Sequence, residues 1–121
     1  YVDMGATTVV AFGPILVRDG EIQDVDKDAY NHSEPRSCIG VVEPGHYVGL
    51  LVEGRKSHSN GATLVQCAEI LYNMGCTDAI NLDGGNTAAM LFMGESVQLA
   101  ENGGIDTNDR AVPDILAVGT Y

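Results

Sequence analysis

Tryptophan is absent from this 121-residue chain, phenylalanine occurs twice, and only 6 lysines and arginines stand against 17 aspartates and glutamates. The net charge of −11 argues against nucleic acid as a partner, because phosphate backbones need clustered lysine and arginine. Anionic membrane surfaces are disfavoured for the same reason. An anionic small ligand can bind only at a local basic site, which makes the few arginines informative. No stretch approaches the ~18–20 uninterrupted apolar residues of a membrane helix. Nor does a basic start lead into an apolar run, so no signal peptide is visible. The chain opens on Tyr1 rather than Met. The expectation is therefore a fragment, a processed form or a trimmed chain, from which any targeting segment could have been removed.

Cysteine is scarce and odd in number, at 3. Cys67 and Cys76 lie about 13 Å apart by helical rise, beyond disulfide reach. Cys38 can pair with one of them only if the fold brings them together. No CxxC or Cys/His ligand spacing occurs, so zinc has no support and buried apolar thiols are expected. Apolar residues make up 45% of the chain, too many for a disordered one, and the length suits a single domain over residues 1–121.

Short strands alternate along the chain with one clear helix. Val9 to Phe12 is apolar, and Pro14-Ile15-Leu16-Val17 meets the turn signal Arg18-Asp19-Gly20 before Glu21-Ile22, which reads as a hairpin. Residues 23 to 36 are polar and acidic, an expected exposed loop. Cys38 to Val42 and Tyr47 to Val52 form a second strand pair through Glu43-Pro44-Gly45. Thr63 and Gln66 fit a capping box, Leu64, Cys67, Ala68 and Leu71 form an apolar helical stripe, and Gly75 is the expected stop. Further strands are expected at Ala79 to Leu82, Ala88 to Met93, Ser96 to Leu99 and Ile115 to Thr120, with a glycine-rich loop from Ala100 to Asp109. The expected class is α/β or α+β, a mixed, largely antiparallel sheet packed on one or two helices.

The strongest candidate site is Asn81-Leu82-Asp83-Gly84-Gly85-Asn86-Thr87. A strand ending in Asp and two glycines places a carboxylate at a sheet edge, and the glycines admit a ligand close to backbone amides. The plainer alternative is a tight turn. Asn81 adds weight, since a buried amide must find partners. A second signal is Glu53-Gly54-Arg55 at a strand end, where both side chains can face one cleft. The helix start at Thr63 offers amides and a partial positive charge to an anion. Arg36 and Arg110 each adjoin an expected strand. Asp24, Asp26 and Asp28 mimic the opening of a calcium loop, but Ala29 and Pro35 break the pattern. His32, His46 and His58 stand at unrelated spacings, and Ser57 and Ser59 lack a nucleophile-elbow context.

Taken in order, these elements resemble the phosphodiester glycosidase family. The likeness runs through Phe12-Gly13-Pro14-Ile15-Leu16-Val17 with Asp19-Gly20, then Pro35-Arg36-Ser37-Cys38-Ile39-Gly40 and Glu53-Gly54-Arg55. It continues through Gly61-Ala62-Thr63-Leu64, Met74-Gly75-Cys76 and Asp78 to Gly85, with Arg110 where a late family arginine falls. The chain departs from the family in three places. Glu53 replaces an Asp, Asn86-Thr87 replaces Gly-Ser, and an upstream Asn-Gly-aromatic motif is missing.

The resemblance implies hydrolysis of a sugar-1-phosphodiester, of the N-acetylglucosamine-1-phosphate type, in a glycan or cell-surface polymer. It implies Asp83, Glu53 and Asn81 as catalytic, and Arg36, Arg55, Thr63, Gly84, Gly85, Thr87 and Arg110 as holding the phosphate. No cofactor is required, with a calcium or magnesium ion as an option. The expected partners are the phosphorylated glycan and either the upstream part of the domain or a second copy. An extracytoplasmic place goes with the family. A carbohydrate- or phosphate-binding module with a degenerate site is the competing expectation.

Overall fold

The turn at Asp19-Gly20 shows why the chain folds back here. Both residues adopt positive φ, 50° and 75°, the conformation that a two-residue hairpin needs to match the strand twist. It joins β1 (Ile15–Arg18) to β2 (Glu21–Ile22) with Val17 opposite Ile22. In the computed structural model, residues 2–6, 8–27, 30–98 and 115–119 are described. Arg110, Asp28 and the Ala100 to Asp109 loop lie outside the described residues.

The second hairpin pairs β3 (Arg36–Glu43) with β4 (His46–Val52), in register from Arg36 opposite Val52 to Val41 opposite Tyr47. Then β5 (Asp78–Asn81) inserts between the two hairpins, with Cys38 opposite Asn81 and Ile15 opposite Ile80. The five-stranded order is β2-β1-β5-β3-β4. Every pairing in it is antiparallel, in line with the largely antiparallel sheet expected, and of the two expected classes the fold is α+β.

One helix, α1 (Leu64–Asn73), lies across one face of this sheet and touches all five strands. Thr63 and Gln66 close the capping box, with Gln66 N donating to Thr63 Oγ1 at 3.2 Å and Thr63 N to Gln66 Oε1 at 2.9 Å. The buried stripe is the expected Leu64, Cys67, Ala68 and Leu71. It meets Leu16, Val17, Cys38 and Ala79 from the sheet and Val25 from the acidic loop. Burial of each larger side chain contributes about 1.5–3 kcal/mol, so this face supplies most of the folding drive. All three cysteines are buried free thiols, as their spacing suggested.

The later strands are shorter than expected. Gly85–Thr87 is a 3-10 turn, and among the described residues of this part only β6 (Leu91–Phe92) and β7 (Glu95–Ser96) pair, as a separate small hairpin. The apolar run Ala88 to Met93 thus lacks the neighbours that would make it a full strand. Val9 to Phe12 and residues 115–119 belong to no strand, and the expected closing strand is absent from the described part of its range. Among the described residues no helix is long and apolar enough to cross a membrane.

Candidate active site

Residues Glu34 to Arg36 form the post around which the site is built. Glu34 and Ala62 exchange backbone hydrogen bonds at 3.0 and 3.2 Å, which ties the acidic loop to the approach to α1. Glycines from two other segments close on the same residues. A Cβ on Gly54 would lie 2.7 Å from the Pro35 nitrogen, and one on Gly84 would lie 2.7 Å from the Pro35 carbonyl oxygen. That carbonyl accepts from Gly85 N at 2.9 Å. Bare backbone at these points lets the end of β4 and the turn after β5 meet.

Arg55 crosses the gap between them. Its backbone is left-handed, φ 56°, a strained conformation for a side-chain-bearing residue. Nε donates to Glu34 Oε2 at 2.6 Å and Nη1 to Asn86 Oδ1 at 2.8 Å. The terminal nitrogens would lie 3.9 and 4.0 Å from a Cβ on Gly85, so the guanidinium sits over that glycine. The hydrogen bond from Arg55 holds Glu34 below the usual carboxylate range, outweighing partial burial, and Glu34 in turn raises Arg55. Glu34 Oε1 faces His32 Nε2 at 3.3 Å.

Asp83 stands exposed just past β5, on the turn that carries Asn86. Its Oδ1 accepts from Gly84 N at 3.1 Å, and its Oδ2 lies 3.3 Å from the Thr87 hydroxyl, which also reaches Gly84 O at 2.8 Å. Arg55, Gly84, Gly85 and Thr87 are therefore gathered around the Asp83 turn.

Other expected residues turn elsewhere. Arg36, 7% exposed, donates from Nε to Ala62 O at 3.0 Å and from Nη2 to Tyr30 O and His32 O, both at 2.6 Å. It fastens the acidic loop, because one guanidinium satisfies three carbonyls that are buried or partly buried. The helix start at Thr63 is not an open anion site. Asn31 Oδ1 accepts from Leu64 N at 2.9 Å and Val65 N at 3.3 Å, and Thr63 takes Gln66 N. The amides of Gly84 and Gly85 are likewise engaged, by Asp83 and Pro35, and do not form an empty nest. Asn81 faces the helix side, donating to Gly13 O at 2.9 Å and accepting from Cys38 Sγ at 3.8 Å, rather than orienting Asp83.

Glu53 parts from Arg55, because the strand alternation ends at Val52 and Arg55 turns left-handed. Its Oε2 meets His58 Nε2 at 3.0 Å, and its carbonyl accepts from the Ser59 hydroxyl at 2.6 Å. Glu53 lines an open groove of about 500 Å³ with Leu51, Val52, Met90, Val97 and Gln98, which Asp83 and Arg55 do not line. Among the described residues no cluster of three or more metal-ligating side chains occurs.

Sequence reasoning missed Glu34 and Asn31, and set His58 aside for its spacing. Glu34 carries no signal of its own in a chain with 17 acidic residues. Asn31 reaches α1 from 33 residues upstream, farther than any capping pattern reads.

The sequence profile described as phosphodiester glycosidase matches residues 2–119. A prophage-derived uncharacterized protein of Bacillus subtilis is 30% identical over 120 residues, covering 97% of this chain and 18% of that protein. This chain thus spans less than a fifth of its length. The catalytic domain of zebrafish N-acetylglucosamine-1-phosphodiester alpha-N-acetylglucosaminidase, solved in a form auto-inhibited by its pro-peptide, superposes with a TM-score of 0.58. It is 25% identical, over 69% of this chain and 32% of that one. A hypothetical protein from Synechocystis gives 0.56 at 27% identity, over 70% and 17% of the two chains.

Proposed function

This chain belongs to the phosphodiester glycosidase family, and on that premise we propose that it carries part of the active site of a hydrolase cleaving sugar-1-phosphodiesters. A substrate of the N-acetylglucosamine-1-phosphate diester type in a glycan or cell-surface polymer fits this reading, as does an extracytoplasmic setting. The observation that carries it is the meeting of Arg55, from beyond β4, with Gly85 and Asn86 of the Asp83 turn.

The chemistry suits these groups. A phosphomonoester departs as a weak base, so the reaction asks little of a general acid but needs donors on the phosphate oxygens. The planar guanidinium of Arg55 is suited to that task. A carboxylate then stabilises the oxocarbenium-like sugar or activates water. Asp83 takes that role here, exposed and held in place by Gly84 N and Thr87, with Glu53, which lines the separate groove, the second choice.

In the full-length protein, Asp83→Asn should lower kcat on the methyl diester of N-acetylglucosamine-1-phosphate by about 100-fold or more. Its thermal melt should stay unchanged. Undiminished turnover would overturn the assignment. A second reading, a binding module without turnover, draws on Asn86, whose oxygen occupies Arg55 where the family pattern has glycine. Saturable binding of the same diester by the unaltered protein, without product, would favour it.

A further inference from the structure

The two edges of the five-stranded sheet are guarded unequally. At one edge β2 is two residues long and carries Glu21, and a short, charged edge resists pairing with another chain. At the other, β4 runs for seven residues without a lysine, a proline or an acid. Among the described residues it pairs with β3 alone and makes no other main-chain hydrogen bond. The register shift in that pairing lies at the far end, beside His46. About half of the main-chain donors and acceptors of β4 therefore point away from the sheet, an open template for one more strand.

The groove beside Glu53 follows this edge. Residues 49–53 all line it, about 17 Å of extended chain. Successive residues of a strand point to opposite faces, so a groove that touches all five lies at the edge and not over one face. Met90, Val97 and Gln98 complete the lining with Ser59. A Cβ on Gly49 would lie 3.2 Å from Met90 Cε, so the methionine closes over the strand there. Gln98 gives an independent sign of a missing neighbour. Its Nε2 donates to Ala88 O at 2.9 Å, yet its Oε1 is buried and accepts no hydrogen bond among the described residues. A buried acceptor left dry is costly, and the backbone N–H of an added strand would satisfy it.

We propose that this groove receives a further β-strand, supplied by a part of the longer protein outside residues 1–121 and laid against β4 with apolar side chains toward Leu51, Met90 and Val97. Strand addition suits the slot, because main-chain hydrogen bonds hold the guest while the apolar walls select its alternate side chains. This chain spans 18% of the Bacillus subtilis protein and 32% of the zebrafish catalytic domain, so these relatives carry most of their length outside the matched part. A second copy is the poorer occupant, since two such segments, each with a net charge of −11, repel one another. The added strand would pass beside Glu53, about 7 Å along the backbone from Arg55, and so border the candidate site.

The test uses the unaltered full-length protein and amide hydrogen exchange, read by mass spectrometry on peptides from β3 and β4. Because β3 lies between β5 and β4, it is the internal standard for a strand paired on both sides. β4 should match it, with nearly all amides slow, and should do so at every protein concentration. An open edge would leave about half of them fast. Benzoylphenylalanine in place of Leu51 then identifies the neighbour. On illumination it should cross-link within one chain, to a residue outside 1–121.

Fast exchange of half the β4 amides would overturn the inference. Protection lost on dilution, or a cross-link between two chains, would also overturn it and assign the groove to a second copy. A cross-link that stays within residues 1–121, or none at all, would overturn it as well.

Discussion

Asn31 is the residue whose effect most exceeds its visibility. Its carboxamide oxygen takes the first two amides of α1, while its Nδ2 donates to Asp26 O at 3.1 Å. Asn31→Ala leaves two helix-start donors without a partner. It should lower stability by about 1–2 kcal/mol, read as a shift in the urea midpoint. Glu34 makes a second prediction, in pH. Arg55 depresses its folded-state pKa, so its contribution is present above the unfolded value and is lost as pH falls through the folded one. The difference in Tm between the unaltered protein and Glu34→Gln should therefore be constant near neutrality and vanish at acidic pH, below the ordinary carboxylate range. A difference that grows on acidification would contradict the ion pair.

Elements were legible wherever the signal is local. The Asp19-Gly20 turn, the β3–β4 hairpin, the capping box and the stripe of α1 follow from residues within a few positions of one another. The reach of Ala88 to Met93 was overread, because an apolar run makes a strand only where a neighbour supplies its hydrogen bonds. Within the site, the turn after β5 and Arg55 were readable from glycine spacing and scarce positive charge. The engagements of Arg36, of the Leu64 amide just after Thr63 and of Asn81 were not, since their partners lie 26 to 68 residues away or belong to the acidic loop. Close approach between elements yields a sharper test. Gly61 adopts φ 99°, and a Cβ there would lie 2.4 Å from the Glu34 carbonyl. Gly61→Ala should separate the loop from the start of α1, with a loss of more than about 2 kcal/mol measured by chemical denaturation.

At the scale of the whole molecule, the insertion of β5 between two hairpins makes one sheet of segments up to 65 residues apart, Ile15 to Ile80. No local pattern announces that order. Its consequence is a single buried layer beneath α1, which holds Cys38, Cys67 and Cys76. The Cys67 sulfur and burial push the Cys38 thiol up, and burial raises Cys76, so neither is a ready thiolate. In native buffer, a disulfide reagent such as dithionitrobenzoate should modify the three thiols only at the rate of unfolding, and all of them at once in denaturant. Rapid reaction of any one under native conditions would mean that this layer is breached.

The convergence of Gly54, Gly61 and Gly84 on Glu34 and Pro35 has a mechanical outcome. A swivelling flap needs a stretch of chain that can rotate without breaking bonds. Here the neighbourhoods of the acid, the guanidinium and the helix start are riveted to two consecutive residues. A ligand that pushes on any of them moves the others in step, so this corner of the molecule responds as one stiff plate.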